Sequence, residues 1–197
     1  TSGPQILLWF DLITKANTYP MGSKISSDKN PVFEVKAIGS FKQKPGCPEF
    51  NLSSTDSDRL NEICKGECFN PSKERRNITR IEIIKITPQN YNEEPIDPLI
   101  MDTWKVFECK PSQDGCKIRF TDKDFVKNER DSVYYVRAIE EPSLRINGDN
   151  LRCDYDENGN CTKVNICHGS YLTDRNDNCA TPSEERAWSS PIYVDQI

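Results

Sequence analysis

Nine cysteines in 197 residues constrain this chain more than any other feature, because most of them are close enough in sequence to close short loops. Cys64 and Cys68 form one near pair, followed by Cys109 and Cys116, Cys153 and Cys161, and Cys167 and Cys179. Disulfides persist in oxidising compartments, so this usage predicts a periplasmic or secreted protein. Each closed loop contributes roughly 2–4 kcal/mol when its geometry is relaxed. The chain needs that help, since 35% of its residues are hydrophobic and 29% are charged. The spacing predicts bridges Cys109–Cys116, Cys153–Cys161 and Cys167–Cys179. It also predicts a Cys64–Cys68 bridge that leaves Cys47, which has no near neighbour, unpaired.

Period-2 alternation then places strands. Residues 5–13 are rich in β-forming side chains. Residues 31–38 set Phe33, Val35 and Ala37 against Val32, Glu34 and Lys36. Residues 78–86 set Ile81, Ile83 and Lys85 against Glu82, Ile84 and Ile86. Residues 132–139 set Tyr134, Val136 and Ala138 against Val133, Tyr135 and Arg137. The last two carry apolar residues on both faces, as central strands do. Residues 191–194 form a closing strand expected to lie near the first, with Trp188 plugging one end of the core. A hairpin is expected over residues 104–120, turned at Asp114-Gly115 and closed by Cys109–Cys116. One short helix is expected at 57–64. The fold class is therefore mainly β: an immunoglobulin-like antiparallel β-sandwich. It is read as one domain over residues 1–197, with long disulfide-stapled insertions near 42–76 and 141–185.

Chemistry is sparse. The net charge of −5 argues against nucleic-acid binding, and no apolar run reaches the roughly 20 residues of a membrane-spanning helix. His168 is the single histidine, and its neighbour Cys167 points to the opposite side in extended chain, so no catalytic pair is assigned. Zinc ribbons need two close cysteine pairs, and Cys64/Cys68 has no second pair of that type. Asp154, Asp156 and Asn158, followed by Gly159, begin like a calcium loop, but Asn165 stands where a bidentate Glu belongs. The competing reading is a polar hairpin turn across Cys153–Cys161. Asn-x-Ser/Thr triplets occur at Asn51, Asn77 and Asn160. No catalytic, cofactor-binding or metal residue is assigned, and no cofactor is expected.

Several phrases resemble one family. The opening Thr1-Ser2-Gly3-Pro4 before an apolar strand, and the closing Arg186-Ala187-Trp188-Ser189-Ser190-Pro191-Ile192-Tyr193-Val194, look like two ends of one module. Phe33-Glu34-Val35-Lys36-Ala37, Ile78-Thr79-Arg80-Ile81-Glu82-Ile83-Ile84-Lys85 and Tyr134-Tyr135-Val136-Arg137-Ala138-Ile139-Glu140-Glu141-Pro142-Ser143 agree with it in between. The chain resembles the C-terminal β-sandwich of the bacterial domain-of-unknown-function 3604 family, exported proteins related to the PHP (polymerase and histidinol phosphatase) metallohydrolases. The resemblance implies that metal ligands and catalysis belong to an N-terminal PHP-like domain outside this chain. That domain would be its partner, and the chain would be a C-terminal piece of a longer protein.

Two other function classes compete. One is a secreted binding module, either receptor-like or carbohydrate-binding. The three Asn-x-Ser/Thr triplets and Trp188-Ser189-Ser190-Pro191 resemble cytokine-receptor ectodomains, whose Trp-Ser-x-Trp-Ser element has its second Trp replaced here by Pro191. Exposed Trp and Tyr on one face would favour the sugar reading. An independent enzyme is the third class.

Overall fold

The computed structural model describes residues 5–54, 56, 58–59, 68–146, 152–167 and 179–197. Two sheets face one another. The first has the order β2 (Thr18–Pro20), β1 (Leu7–Ile13), β4 (Val32–Ile38) and β9 (Cys116–Thr121), all antiparallel. The second has the order β3 (Lys24–Ser27), β16 (Ile192–Gln196), β10 (Ser132–Glu140), β7 (Ile78–Ile86) and β8 (Ile100–Glu108). A short strand, β15 (Arg186–Trp188), flanks β10 beyond β16, and β3 runs parallel to β16. The predicted sandwich is thus the observed class.

Alternation explains why these strands make one core. On β4 the side chains of Phe33, Val35 and Ala37 are fully buried, and on β1 Phe10 and Leu12 join them. Ile81 and Ile83 of β7, and Tyr134, Val136 and Ala138 of β10, meet them from the other sheet, with Ile192 and Val194 of β16. Phe33 is central: its ring lies 5.4 Å from Phe10, 5.1 Å from Phe120 and 4.7 Å from Tyr134. Packing of this kind between two inner faces is what holds a sandwich together.

Both insertions contain small ladders of their own. β5 (Phe41–Gln43) pairs with β6 (Pro71–Arg75), and a short helix, Glu49–Ser54, lies between them in sequence. β11 (Ser143–Ile146) pairs with β14 (Ala180–Ser183), and β12 (Cys153–Tyr155) pairs with β13 (Cys161–Val164). The helix expected at 57–64 falls mostly outside the described residues.

Three expectations need correction. Residues 104–120 do not form a hairpin, because β8 pairs with β7 in one sheet and β9 with β4 in the other. The apolar faces of both strands point into the same core from opposite sides, with the Phe107 and Phe120 rings 5.8 Å apart. The Cys109–Cys116 bridge, with a Cα separation of 5.8 Å, therefore ties sheet to sheet. Gly115 makes the arch possible, having φ +88°, and a Cβ there would sit 2.1 Å from the Ala37 carbonyl oxygen.

The second correction concerns Cys68, which is bonded to Cys47 and not to Cys64. The β5–β6 ladder brings the residues just after β5 beside those just before β6, and Cys68 N–H donates to the Gly46 carbonyl. Cys64 lies outside the described residues.

The third concerns the chain's last segment. β16 pairs with β10 and β3 rather than with β1, and Trp188 is 59% exposed. On β15 it is Ala187 that faces inward, opposite Ala138, while the Ser189 hydroxyl accepts the Val136 N–H at 3.0 Å. Small residues fill the inward positions, so the indole stands outside.

Candidate functional site

The outward face of the larger sheet is built by the same alternation that builds the core. With Tyr134, Val136 and Ala138 pointing in, β10 must point Val133, Tyr135 and Arg137 out. The register then aligns outward rows across the strands. Tyr193, Val133, Ile86 and Ile100 form one row, Tyr135 and Ile84 the next, and Trp188, Arg137, Glu82 and Val106 a third. Trp188, Val106 (50%), Ile100 and Tyr193 are all exposed. Ile84 and Ile139 are fully buried although they lie outside the main core cluster. Three aromatic residues thus line one side of a face whose other side is aliphatic.

Several charges on this face are paired with one another. Arg137 lies 2.9 Å from the Glu82 carboxylate and 2.5 Å from Asp102. Arg80 bonds both oxygens of Glu184 at 2.8 Å and also reaches Glu82 at 2.8 Å. The Glu184 contact comes first in holding the Arg80 guanidinium above its ordinary pKa, and Arg80 in turn holds the Glu184 carboxyl below its own. Such bidentate pairs are geometrically specific. Beside these ion pairs the face is aromatic and aliphatic.

A second polar cluster lies inside. Lys85, on the inward parity of β7, places Nζ 2.5 Å from Asp122 Oδ2, just past the end of β9. The Tyr134 hydroxyl donates to the same oxygen at 2.6 Å, and the Asp124 N–H donates to Oδ1 at 3.1 Å. Lys85 and Asp122 are buried. Burial pushes the Asp122 carboxyl up, but the bonds from Lys85 and Tyr134 outweigh it and hold the group below the usual carboxylate range. Burial and then the Asp122 bond push the Tyr134 phenol well above its ordinary value, so it stays a donor. Nearby, Lys105 Nζ lies 4.1 Å from the Trp104 ring centroid and donates to the Thr121 carbonyl, and burial holds its ammonium below the usual lysine value. At the far end of β10, both oxygens of buried Glu140 accept from Ser40, one from its N–H and one from its hydroxyl.

The residues singled out in sequence fall elsewhere. Asp154 and Asp156 belong to the β12–β13 hairpin, whose tip includes Asn158 and Gly159. Asp156 Oδ1 accepts the N–H groups of Asn158 and Asn160, and Oδ2 accepts the Asn160 side-chain amide, chiefly the Asn160 bonds holding its pKa low. Asn165 turns its amide to the Arg152 carbonyl at 3.1 Å. This is the polar-turn geometry, with the carboxylate directed at the turn's own donors. Bridges join Cys109 to Cys116, Cys153 to Cys161 and Cys167 to Cys179, as the spacing predicts. His168 lies outside the described residues. Of the sequon asparagines, Asn77 donates to Glu141 and Asn160 to Asp156.

Sequence alone does not single out Lys85, Asp122 and the outward row as a site. The inward parity of Lys85 among Ile81 and Ile83 was the available signal, since a core-facing lysine requires a partner. Among the described residues no three His, Cys, Asp or Glu side chains gather as a metal site, and no helix is long and apolar enough to cross a membrane. Comparison with protein-family models, with curated proteins and with solved structures finds no match.

Proposed function

We propose that this chain is a non-catalytic accessory sandwich of an exported PHP-like metallohydrolase, bracing or covering the catalytic domain. The observation that carries the reading is the outward face of the larger sheet. Trp188, Tyr135 and Tyr193 stand beside Ile100 and Val106, around an arginine already neutralised by Glu82 and Asp102. Protein-binding surfaces are enriched in Trp, Tyr and Arg and depleted of unpaired charge at their centres. The occupant we propose, the N-terminal PHP-like domain of the same protein, follows from the resemblance of the strand phrases to the domain-of-unknown-function 3604 family. Four disulfides fit the periplasmic or secreted setting this requires.

The test separates the two parts. The sandwich and the segment encoded before it are produced as two chains in an oxidising compartment and mixed. The reading expects them to co-purify, the metal-dependent hydrolase activity to follow the preceding segment, and the double variant Trp188→Ser/Tyr193→Ser to abolish co-purification. Hydrolase activity in the sandwich alone, or no association of the parent pair, sinks it.

One observation favours a second reading, a carbohydrate-binding module. Trp188, Tyr135 and Tyr193 follow one another along β10 on a single face, as stacking platforms for sugar rings do. Quenching of tryptophan fluorescence by a soluble glycan, lost in Trp188→Ser, would select it.

A further inference from the structure

We propose that Lys85 and Asp122 become joined by an intramolecular amide between Nζ and Cγ, a covalent cross-link through the core that ties the two sheets together. This inference is independent of the docking role.

Four features of the interior support it. Lys85 Nζ sits 2.5 Å from Asp122 Oδ2, so it is at most about one C–O bond length further from Cγ, close to the roughly 3–3.5 Å of a near-attack arrangement. Lys85 is 3% exposed and Asp122 is 0% exposed, so both groups are largely withdrawn from bulk water. The surroundings are aromatic: Trp104 and Tyr134 have their centroids 5.4 and 5.8 Å from Nζ, and Phe33 and Phe120 pack against those rings. Each carboxyl oxygen has its own donor, Tyr134 O–H on Oδ2 and Asp124 N–H on Oδ1. Preorganised donors of this sort stabilise the oxyanion of acyl transfer.

The step balances without a co-reactant. A proton passes from the Lys85 ammonium to Oδ2, leaving a free amine and a carboxylic acid. The amine attacks Cγ, and the charge that develops on Oδ1 is held by the Asp124 N–H. A second proton from nitrogen reaches Oδ2 through the Tyr134 hydroxyl, which gives up its own proton and recovers one. The Cγ–Oδ2 bond breaks, water leaves, and a neutral amide remains. A cleft of about 300 Å³ lined by Lys85, Met101 and Ser132 provides an exit for the water. The ion pair favours the charged state, but the reaction has to happen only once per molecule. The product also removes a buried charge pair, whose desolvation cost often exceeds its Coulombic gain.

Mass spectrometry of the reduced protein, exported and folded, tests this. Trypsin cannot cleave after an acylated Lys85, so the digest should contain a branched peptide joining residues 81–105 to residues 120–123. Its mass should be that of the two parts less one water. Lys85→Arg should release an unbranched 120–123 peptide, Lys105→Arg should keep a branch at Lys85, and Tyr134→Phe should lower the branched fraction. The wild-type digest decides the matter even if a variant fails to fold. Quantitative recovery of free 81–85 and free 120–123 overturns the proposal, and so does a branch at Lys105.

Discussion

Replacing Phe33 with alanine is the sharpest stability experiment the sandwich offers. Its ring is fully buried and touches aromatic rings from both sheets: Phe10 and Phe120 on its own side, Tyr134 on the other. Truncating a buried Phe to Ala costs roughly 3–5 kcal/mol, and the cost is highest where the surroundings cannot collapse into the void. Here they are held in place, since the Tyr134 hydroxyl is fastened to Asp122 and Phe120 lies in a paired row with Phe33 itself. We therefore expect Phe33→Ala to fall at the upper end, about 4–5 kcal/mol, a large share of the roughly 5–15 kcal/mol of a typical domain. Phe33→Leu, which keeps most of the volume, should cost less than half as much. Urea unfolding with the disulfides intact, followed by tryptophan fluorescence, measures both. A loss under about 1.5 kcal/mol for Phe33→Ala would mean that the inner faces do not meet as described, because a ring at the junction of two sheets cannot be removed so cheaply.

Two further outcomes follow from particular groups. Gly115→Ala should destabilise the protein by roughly 1–3 kcal/mol, as a left-handed φ and a Cβ 2.1 Å from the Ala37 carbonyl oxygen together demand movement of the arch, which a melting scan would report. Tyr134 has its folded pKa raised, chiefly by burial, so its contribution is present below the unfolded value near 10 and is lost as pH rises beyond it. Ultraviolet titration should therefore find the Tyr134 phenol silent until alkaline unfolding exposes it, a silent component that is lost in Tyr134→Phe, and all seven tyrosines ionising together in the folded protein would contradict the interior bond.

Much of the frame was legible in the sequence where one strand dictates its own faces. Phe33, Val35 and Ala37 on β4, and Tyr134, Val136 and Ala138 on β10, alternate cleanly, and their burial follows. The apolar residues on both faces of β7 and β10 mark central strands, and the outward surplus is the surface proposed for docking. What alternation cannot report is which strand lies beside which. β8 and β9 look like a hairpin because both are apolar on one side, yet they face each other across the core. The Cys47–Cys68 bridge depends on a ladder between β5 and β6 that no local spacing reveals. The size of Trp188 alone suggests burial, whereas the parity of β15 is set by Ala187 against Ala138. Lys85 could be seen to point inward, but its partner lies 37 residues away on the opposite sheet.

The central claim, that the larger sheet docks its outward face on the rest of a longer protein, is tested most directly by hydroxyl-radical footprinting. The same residues are compared in the complete exported protein and in this chain alone. The account predicts that Trp188 and Tyr193 are protected several-fold in the complete protein, while exposed aromatics on other surfaces, such as Trp9 on the opposite sheet, label equally in both. Equal labelling of Trp188 and Tyr193 in the two samples would contradict it.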